Sequence, residues 1–147
     1  MEAVIFVGIQ ATGKSTFYHH QFGRTHMRIN LDMLKTRHRE QQFLSTCLET
    51  RQQFVVDNTN PTLVERQRYI QPAQQQGFSI MGYYFESKLA AALMRNRDRN
   101  PDQRIPDKGI RGTAARLILP TYDEGFDQLF YVRILPNQQF AVEDWQS

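Results

Sequence analysis

The chain has 147 residues, 40% hydrophobic and 22% charged, a size and balance that suit one globular domain with a core needing neither disulfides nor structural metal. Its single cysteine, Cys47, excludes an internal disulfide framework, and no apolar run approaches the length of a membrane span. The apolar run Ala3–Ile9 is too short for a secretory signal, so the expectation is a cytoplasmic protein without membrane attachment; the net charge of +3 is by itself a weak signal for any partner.

In chain order, Ala3–Val7 is an apolar, β-branched run that predicts a buried strand, and Ser15–Gln21 opens a helix behind a Gly-rich turn. Met27–Asn30 is a short second strand. Leu31–Thr50 reads as one helix, with Leu34, Phe43, Leu44, Cys47 and Leu48 as its apolar face. Phe54–Asp57 is a third strand, apolar until its last residue. Asn60-Pro61 predicts a helix start, with Asn as cap and Pro in the first position, and Gly77 stops that helix after about Gln76. Phe78–Phe85 is a fourth strand and Ser87–Arg97 a helix. Asn100-Pro101 and Ile105-Pro106 bracket a break, a last helix covers about Thr113–Leu119, and Leu129–Leu135 is a fifth strand. This alternation predicts a single α/β domain over residues 1–147: a five-stranded, mainly parallel sheet with helices on both faces.

Gly8–Ser15 reads GIQATGKS and fits the phosphate-binding loop of Gly, four variable residues, Gly, Lys and Ser or Thr. A strand feeding such a turn and then a helix aims backbone N–H groups, and the positive end of the helix dipole, at one point. The nucleotide-binding residues are therefore Gly8, Ile9, Gln10, Ala11, Thr12, Gly13, Lys14, Ser15 and Thr16. Lys14 is expected to reach the β- and γ-phosphates of ATP, and the Ser15 hydroxyl to ligate Mg²⁺.

In open parallel sheets ligands sit at the carboxyl ends of the strands. The third strand ends in Asp57, the position of a second acid that holds Mg²⁺ directly or through water; a turn role is the alternative, since DNTNP is also turn chemistry. Asn58 and Asn60 suit capping. Asp32 follows the second strand at a helix start, either as an ordinary N-terminal acid or as the general base for an attacking hydroxyl. Lys35, three residues on, and Arg39, seven on, would neutralise a phosphate on the acceptor. From Arg95 to Arg116 seven basic and three acidic residues concentrate a charge of +4, while the rest of the chain sums to −1. Beside a phosphate loop this block predicts a basic lid over about residues 95–112, with Arg95 and Arg99 on one helix face gripping the transferring phosphoryl group. His19, His20, His26 and His38 form no metal-ligand pattern.

Together, GIQATGKST, INLD at Ile29–Asp32, VVDNTNPT at Val55–Thr62, RQRYI at Arg66–Ile70, RNRDR at Arg95–Arg99, IPD at Ile105–Asp107 and YDEGFD at Tyr122–Asp127 resemble the kinase domain of 5′-hydroxyl polynucleotide kinases along almost the whole chain. The resemblance implies a P-loop kinase-type fold and transfer of the ATP γ-phosphate to the 5′-hydroxyl of RNA or DNA. It implies general-base work at Asp32, phosphate contacts at Lys14, Arg95 and Arg99, Mg²⁺ at Ser15, and a strand-end acid at Asp57. Some family members carry Arg three residues after the base, where this chain has Lys35, and others carry Arg just before it, where this chain has Leu31. Lysine cannot copy the bidentate fork, which bears on the acceptor more than on the chemistry. No companion phosphatase or ligase domain accompanies the kinase pattern, so the expectation is a stand-alone module of unspecified oligomeric state. A P-loop kinase for a small hydroxylated metabolite or nucleoside, and a non-catalytic nucleotide-binding module, are the competing readings.

Overall fold

The protein, described here from a computed structural model, is defined for residues 1–146. Six strands form one sheet in the order β2-β3-β1-β4-β5-β6. They are β1 (Glu2–Val7), β2 (Met27–Ile29), β3 (Phe54–Val56), β4 (Ser79–Phe85), β5 (Gln128–Ile134) and β6 (Phe140–Asp144). All pairings are parallel except β5 with β6. The α/β architecture agrees with the sequence expectation, with six strands rather than five. The extra strand returns as a hairpin through Pro136–Gln138, where Gln138 takes φ 68 and Leu135 N–H donates to the Gln139 carbonyl at 2.7 Å. Its five residues are half-exposed or exposed, so they lack the apolar signature of a buried strand.

Among the described residues six α-helices complete the fold, α1 (Lys14–Gln21), α2 (Leu31–Leu34), α3 (Arg37–Thr50), α4 (Leu63–Gln75), α5 (Leu89–Arg97) and α6 (Asp107–Arg116), with a short 3₁₀ helix at Tyr122–Glu124. Strand β1 shows why the sheet is covered on both faces. Its residues Ala3 to Val7 are fully buried, and alternation sends them to opposite sides. Ala3, Ile5 and Val7 join Leu44, Cys47 and Leu48 of α3 and Tyr69, Ile70 and Ala73 of α4. Val4 and Phe6 join Phe17 and Tyr18 of α1, with Phe22, Phe85 and Val132. A third cluster lies under the Gly-rich turn, where Ile9 and Ala11 meet Ala92 and Leu93 of α5 and Ile110 of α6. The phosphate loop thus packs against apolar residues of α5 and α6, and Ile110, within the predicted lid, is one of them.

Three predicted boundaries move. The helix expected over Leu31–Thr50 is two helices. Lys35 takes φ 77 and ends α2, and the Thr36 hydroxyl caps α3 by accepting from Arg39 N–H. The apolar spacing runs through this break, which hid it. Asn60 does not cap α4. It takes φ 46 and its Nδ2 donates to the Phe6 carbonyl at 2.8 Å, while Thr62 caps the helix two residues later. The last helix spans Asp107–Arg116 rather than Thr113–Leu119. Gly109 and Gly112 weaken its local propensity, but Ile110 and Thr113, one turn apart, are buried against the phosphate loop and hold it.

Candidate active site

A cleft of about 990 Å³ opens at the carboxyl ends of β1, β2 and β3. Its floor is the loop between β1 and α1. Gly13 sits at φ 91 immediately before α1, and a Cβ there would come within 2.8 Å of the Phe140 ring. Gly8 has no room either, since a Cβ would lie 3.0 Å from that of Phe85. The first turn of α1 leaves N–H groups without intrahelical partners, and they face the cleft where a phosphate would sit.

Lys14 is almost fully buried and donates to the carbonyls of Gly8 and Ile9. Burial lowers its pKa to about 8, against an upward pull from Asp57, a further lowering by Arg99 and a smaller rise from Asp32. This has a measurable consequence. A polyphosphate wants the ammonium form, so above about pH 8 binding must take up a proton and weakens with rising pH. Nucleotide Kd is expected to be flat from pH 6.5 to 7.5 and to rise toward tenfold per unit beyond pH 8, with proton uptake visible by titration calorimetry in buffers of different ionisation enthalpy. A Kd constant up to pH 9.5 would show that Lys14 does not meet the phosphates.

Asp57, at the end of β3, is buried. Ser15 Oγ donates to its Oδ2 at 3.0 Å, and Arg28 of β2 reaches the same carboxylate with Nε at 2.9 Å. Asn30 ties the ends of β2 and β3 together: its Nδ2 donates to the Asp57 carbonyl at 2.6 Å, and its Oδ1 accepts from Met33 N–H to cap α2. Asn58 adds a second cap by accepting from Leu31 N–H at 2.9 Å. These contacts hold the first turn of α2, whose Asp32 lines the cleft together with the phosphate loop.

The predicted residues divide. Gln10, Ala11, Gly13 to Thr16, Asp32, Asp57 and Arg99 share the cleft. Gly8, Ile9 and Thr12 serve the loop from beneath, with Ile9 in the third core cluster and the Thr12 hydroxyl donating to the Ile9 carbonyl at 2.8 Å. Arg95 and Arg99 are not placed alike: Arg95 Nη1 donates to the Ala11 carbonyl at 3.2 Å, and Arg95 is not among the residues that line the cleft. Desolvation lowers the pKa of Arg99, which does line the cleft. Lys35 is exposed, takes φ 77 at the end of α2 and is not among the residues that line the cleft.

Arg37 lines the cleft instead, and sequence reasoning missed it. Its Nη1 donates to Glu40 Oε1 at 2.8 Å and to the Tyr69 hydroxyl at 3.0 Å. Buried Glu40 also accepts from Tyr69 and from Asn58 Nδ2, so the network holds one guanidinium at the rim and the Asn58 cap in place. Arg28 was missed as well, and Arg104, which also lines the cleft, figures in the sequence only as part of the basic lid block. No local pattern marks Arg28, between Met27 and Ile29 of a short strand, or Arg37, one of several basic residues after Asp32.

Strand-end phosphate loop and covered, mainly parallel sheet define a nucleotide-binding P-loop domain of kinase type. Residues 4–118 match the AAA domain family, and the chain belongs to it. It is 30% identical over 129 residues to the bifunctional polynucleotide phosphatase/kinase of Schizosaccharomyces pombe, covering 85% of this chain and 32% of that protein. It is 25% identical over 135 residues to a putative bifunctional polynucleotide phosphatase/kinase of Acanthamoeba polyphaga mimivirus, covering 87% and 32% respectively. The chain thus spans about a third of the length of these curated relatives. A gluconokinase structure from Sinorhizobium meliloti superposes with a TM-score of 0.60 at 15% identity, over 89% of this chain and 81% of the other, a likeness of fold alone. Among the described residues no helix is long and apolar enough to cross a membrane.

Proposed function

We infer that this domain transfers the γ-phosphate of ATP to the 5′-hydroxyl end of an RNA or DNA strand. The observation that supports the reading is that one cleft is lined by Asp32, Lys14 and Ser15 together with Arg99 and Arg37. Asp32 accepts the proton of the attacking 5′-hydroxyl as its oxygen bonds to the γ-phosphorus and the bond to the β-phosphate oxygen breaks, leaving ADP. Lys14 and Arg99 bear the charge that spreads over the transferring group. Two hard oxygen donors, Ser15 Oγ and Asp57 Oδ2, lie 3.0 Å apart and suit Mg²⁺. Bound there, Mg²⁺ would neutralise the β- and γ-phosphates.

The names of the two curated relatives support a polynucleotide acceptor, as does a cleft whose rim carries the cations Arg37 and Arg104. A small-metabolite kinase would use the same nucleotide half, and the fold likeness to a gluconokinase does not separate the two. Labelled γ-phosphate ATP offered with 5′-hydroxyl RNA and DNA oligonucleotides, and with a panel of sugars and nucleosides, decides between them. Label is expected on the oligonucleotides. Each backbone phosphate neutralised releases counterions, so acceptor KM is expected to climb steeply between 50 and 200 mM salt while ATP KM changes less. Preference for a free sugar, or an acceptor KM indifferent to salt, would transfer the assignment to the small-molecule class.

A further inference from the structure

Arg28 has no part in the chemistry above, yet its guanidinium lies against both oxygens assigned to the metal. Its Nη2 donates to Ser15 Oγ at 2.9 Å and its Nε to Asp57 Oδ2 at 2.9 Å. We propose that Arg28 is a built-in counter-ion that closes the Ser15–Asp57 position to divalent cations and makes metal entry conditional on a nucleoside triphosphate. The proposal rests on the nucleotide-kinase reading of the same cleft.

Three physical points support it. Asp57 is 2% exposed, and a carboxylate buried that deeply needs a cation; Arg28 supplies one. A divalent ion bound to these oxygens would sit about 2.0–2.1 Å from each. It would then crowd guanidinium nitrogens that are 2.9 Å from the same atoms, and the like charges would repel, so the two occupants exclude one another.

Arg28 also has somewhere to go. It comes from a three-residue edge strand, its side chain is 21% exposed, and its guanidinium carbon lies 5.8 Å from the centre of the Tyr18 ring. Tyr18 is fixed by donating to the His26 carbonyl at 2.6 Å, so the ring is a stationary surface along which the guanidinium can slide into the cleft. A metal ion alone gives Arg28 nothing in exchange for Asp57. A metal–triphosphate complex gives Asp57 a new cation and gives the guanidinium phosphate oxygens, its preferred bidentate partner. Metal and nucleotide are therefore admitted as a unit.

The test uses Mn²⁺ as the probe, followed by electron paramagnetic resonance and calorimetry with and without a non-hydrolysable ATP analogue, on protein whose fold is checked by circular dichroism. The parent is expected to bind Mn²⁺ weakly alone and tightly with the analogue. Arg28→Met is expected to bind Mn²⁺ alone about 10- to 100-fold tighter than the parent, the equivalent of a lost charge-assisted hydrogen bond. Adding Asp57→Asn is expected to remove that gain. Where Arg28→Met does not fold, Arg28→Lys keeps one charge but cannot reach both oxygens, and a smaller gain is expected. Unchanged Mn²⁺ affinity in the folded variant overturns the proposal. Tight Mn²⁺ binding by the parent without the analogue overturns the proposal and leaves the metal assignment intact. No Mn²⁺ binding even with the analogue overturns both.

Discussion

Asp32→Asn is expected to lower turnover by ~10²–10⁴-fold, the range in which a positioned general base contributes, while nucleotide affinity stays within about twofold. The side chain keeps its size and loses only the ability to take a proton. Helix α2 does not depend on it, because Asn30 caps the helix through Met33 N–H and Asn58 through Leu31 N–H. The substitution therefore separates chemistry from folding more cleanly than most. Asp32 also raises the pKa of Lys14 slightly, behind burial and the larger effects of Asp57 and Arg99, so its removal shifts the pH at which nucleotide binding weakens only a little downward. Single-turnover rates with saturating acceptor give the first quantity and calorimetry the second. A variant within threefold of the parent rate would end the general-base assignment. Loss of nucleotide affinity with the single-turnover rate preserved would make Asp32 a structural acid.

The parts legible in the sequence are those whose signal is local. The phosphate loop is contiguous, its flanking strand is an unbroken apolar run, and Asp57 marks its strand end by contrast with Phe54–Val56. The acceptor side is less legible because it depends on pairing and on backbone breaks. Arg28 meets Asp57 only because β2 lies beside β3 in a register that puts Arg28 opposite Val55 and Ile29 opposite Val56. Lys35 looks like a helix-face partner of Asp32 until the chain turns left-handed there, after which Arg37 takes the place on the cleft. The hairpin strand β6 and the glycine-containing helix α6 hold through packing against Gly13, Phe17 and the phosphate loop, contacts that local propensity does not report.

Glu124→Ala is expected to destabilise the fold by about 3–5 kcal/mol, a large share of the roughly 5–15 kcal/mol typical of a domain. Arg66 is fully buried and Glu124 nearly so. Arg66 Nε donates to Glu124 Oε1 at 2.6 Å and Nη2 to Oε2 at 3.1 Å, a two-pronged pair that joins two segments 58 residues apart. Removing the carboxylate leaves a guanidinium charge in the interior with no anion, which is far costlier than losing both partners together. The Arg66→Met/Glu124→Leu double variant is thus expected to recover part of the stability. It should not recover turnover. Arg66 Nη1 also donates to the carbonyls of Asn60 and Ile118, each at 3.0 Å, and Asn60 in turn holds the Phe6 carbonyl. The segment from Asp57 to Asn60, which carries the strand-end acid and the Asn58 cap over Asp32, is anchored through those contacts, and the double variant lets it go. Urea midpoints at constant m-value measure the first effect, and single-turnover rates on folded double variant the second. A loss under about 1 kcal/mol for Glu124→Ala would show that water or a rearranged partner reaches Arg66. Full turnover in a stable double variant would show that the segment holds its shape without the buried arginine.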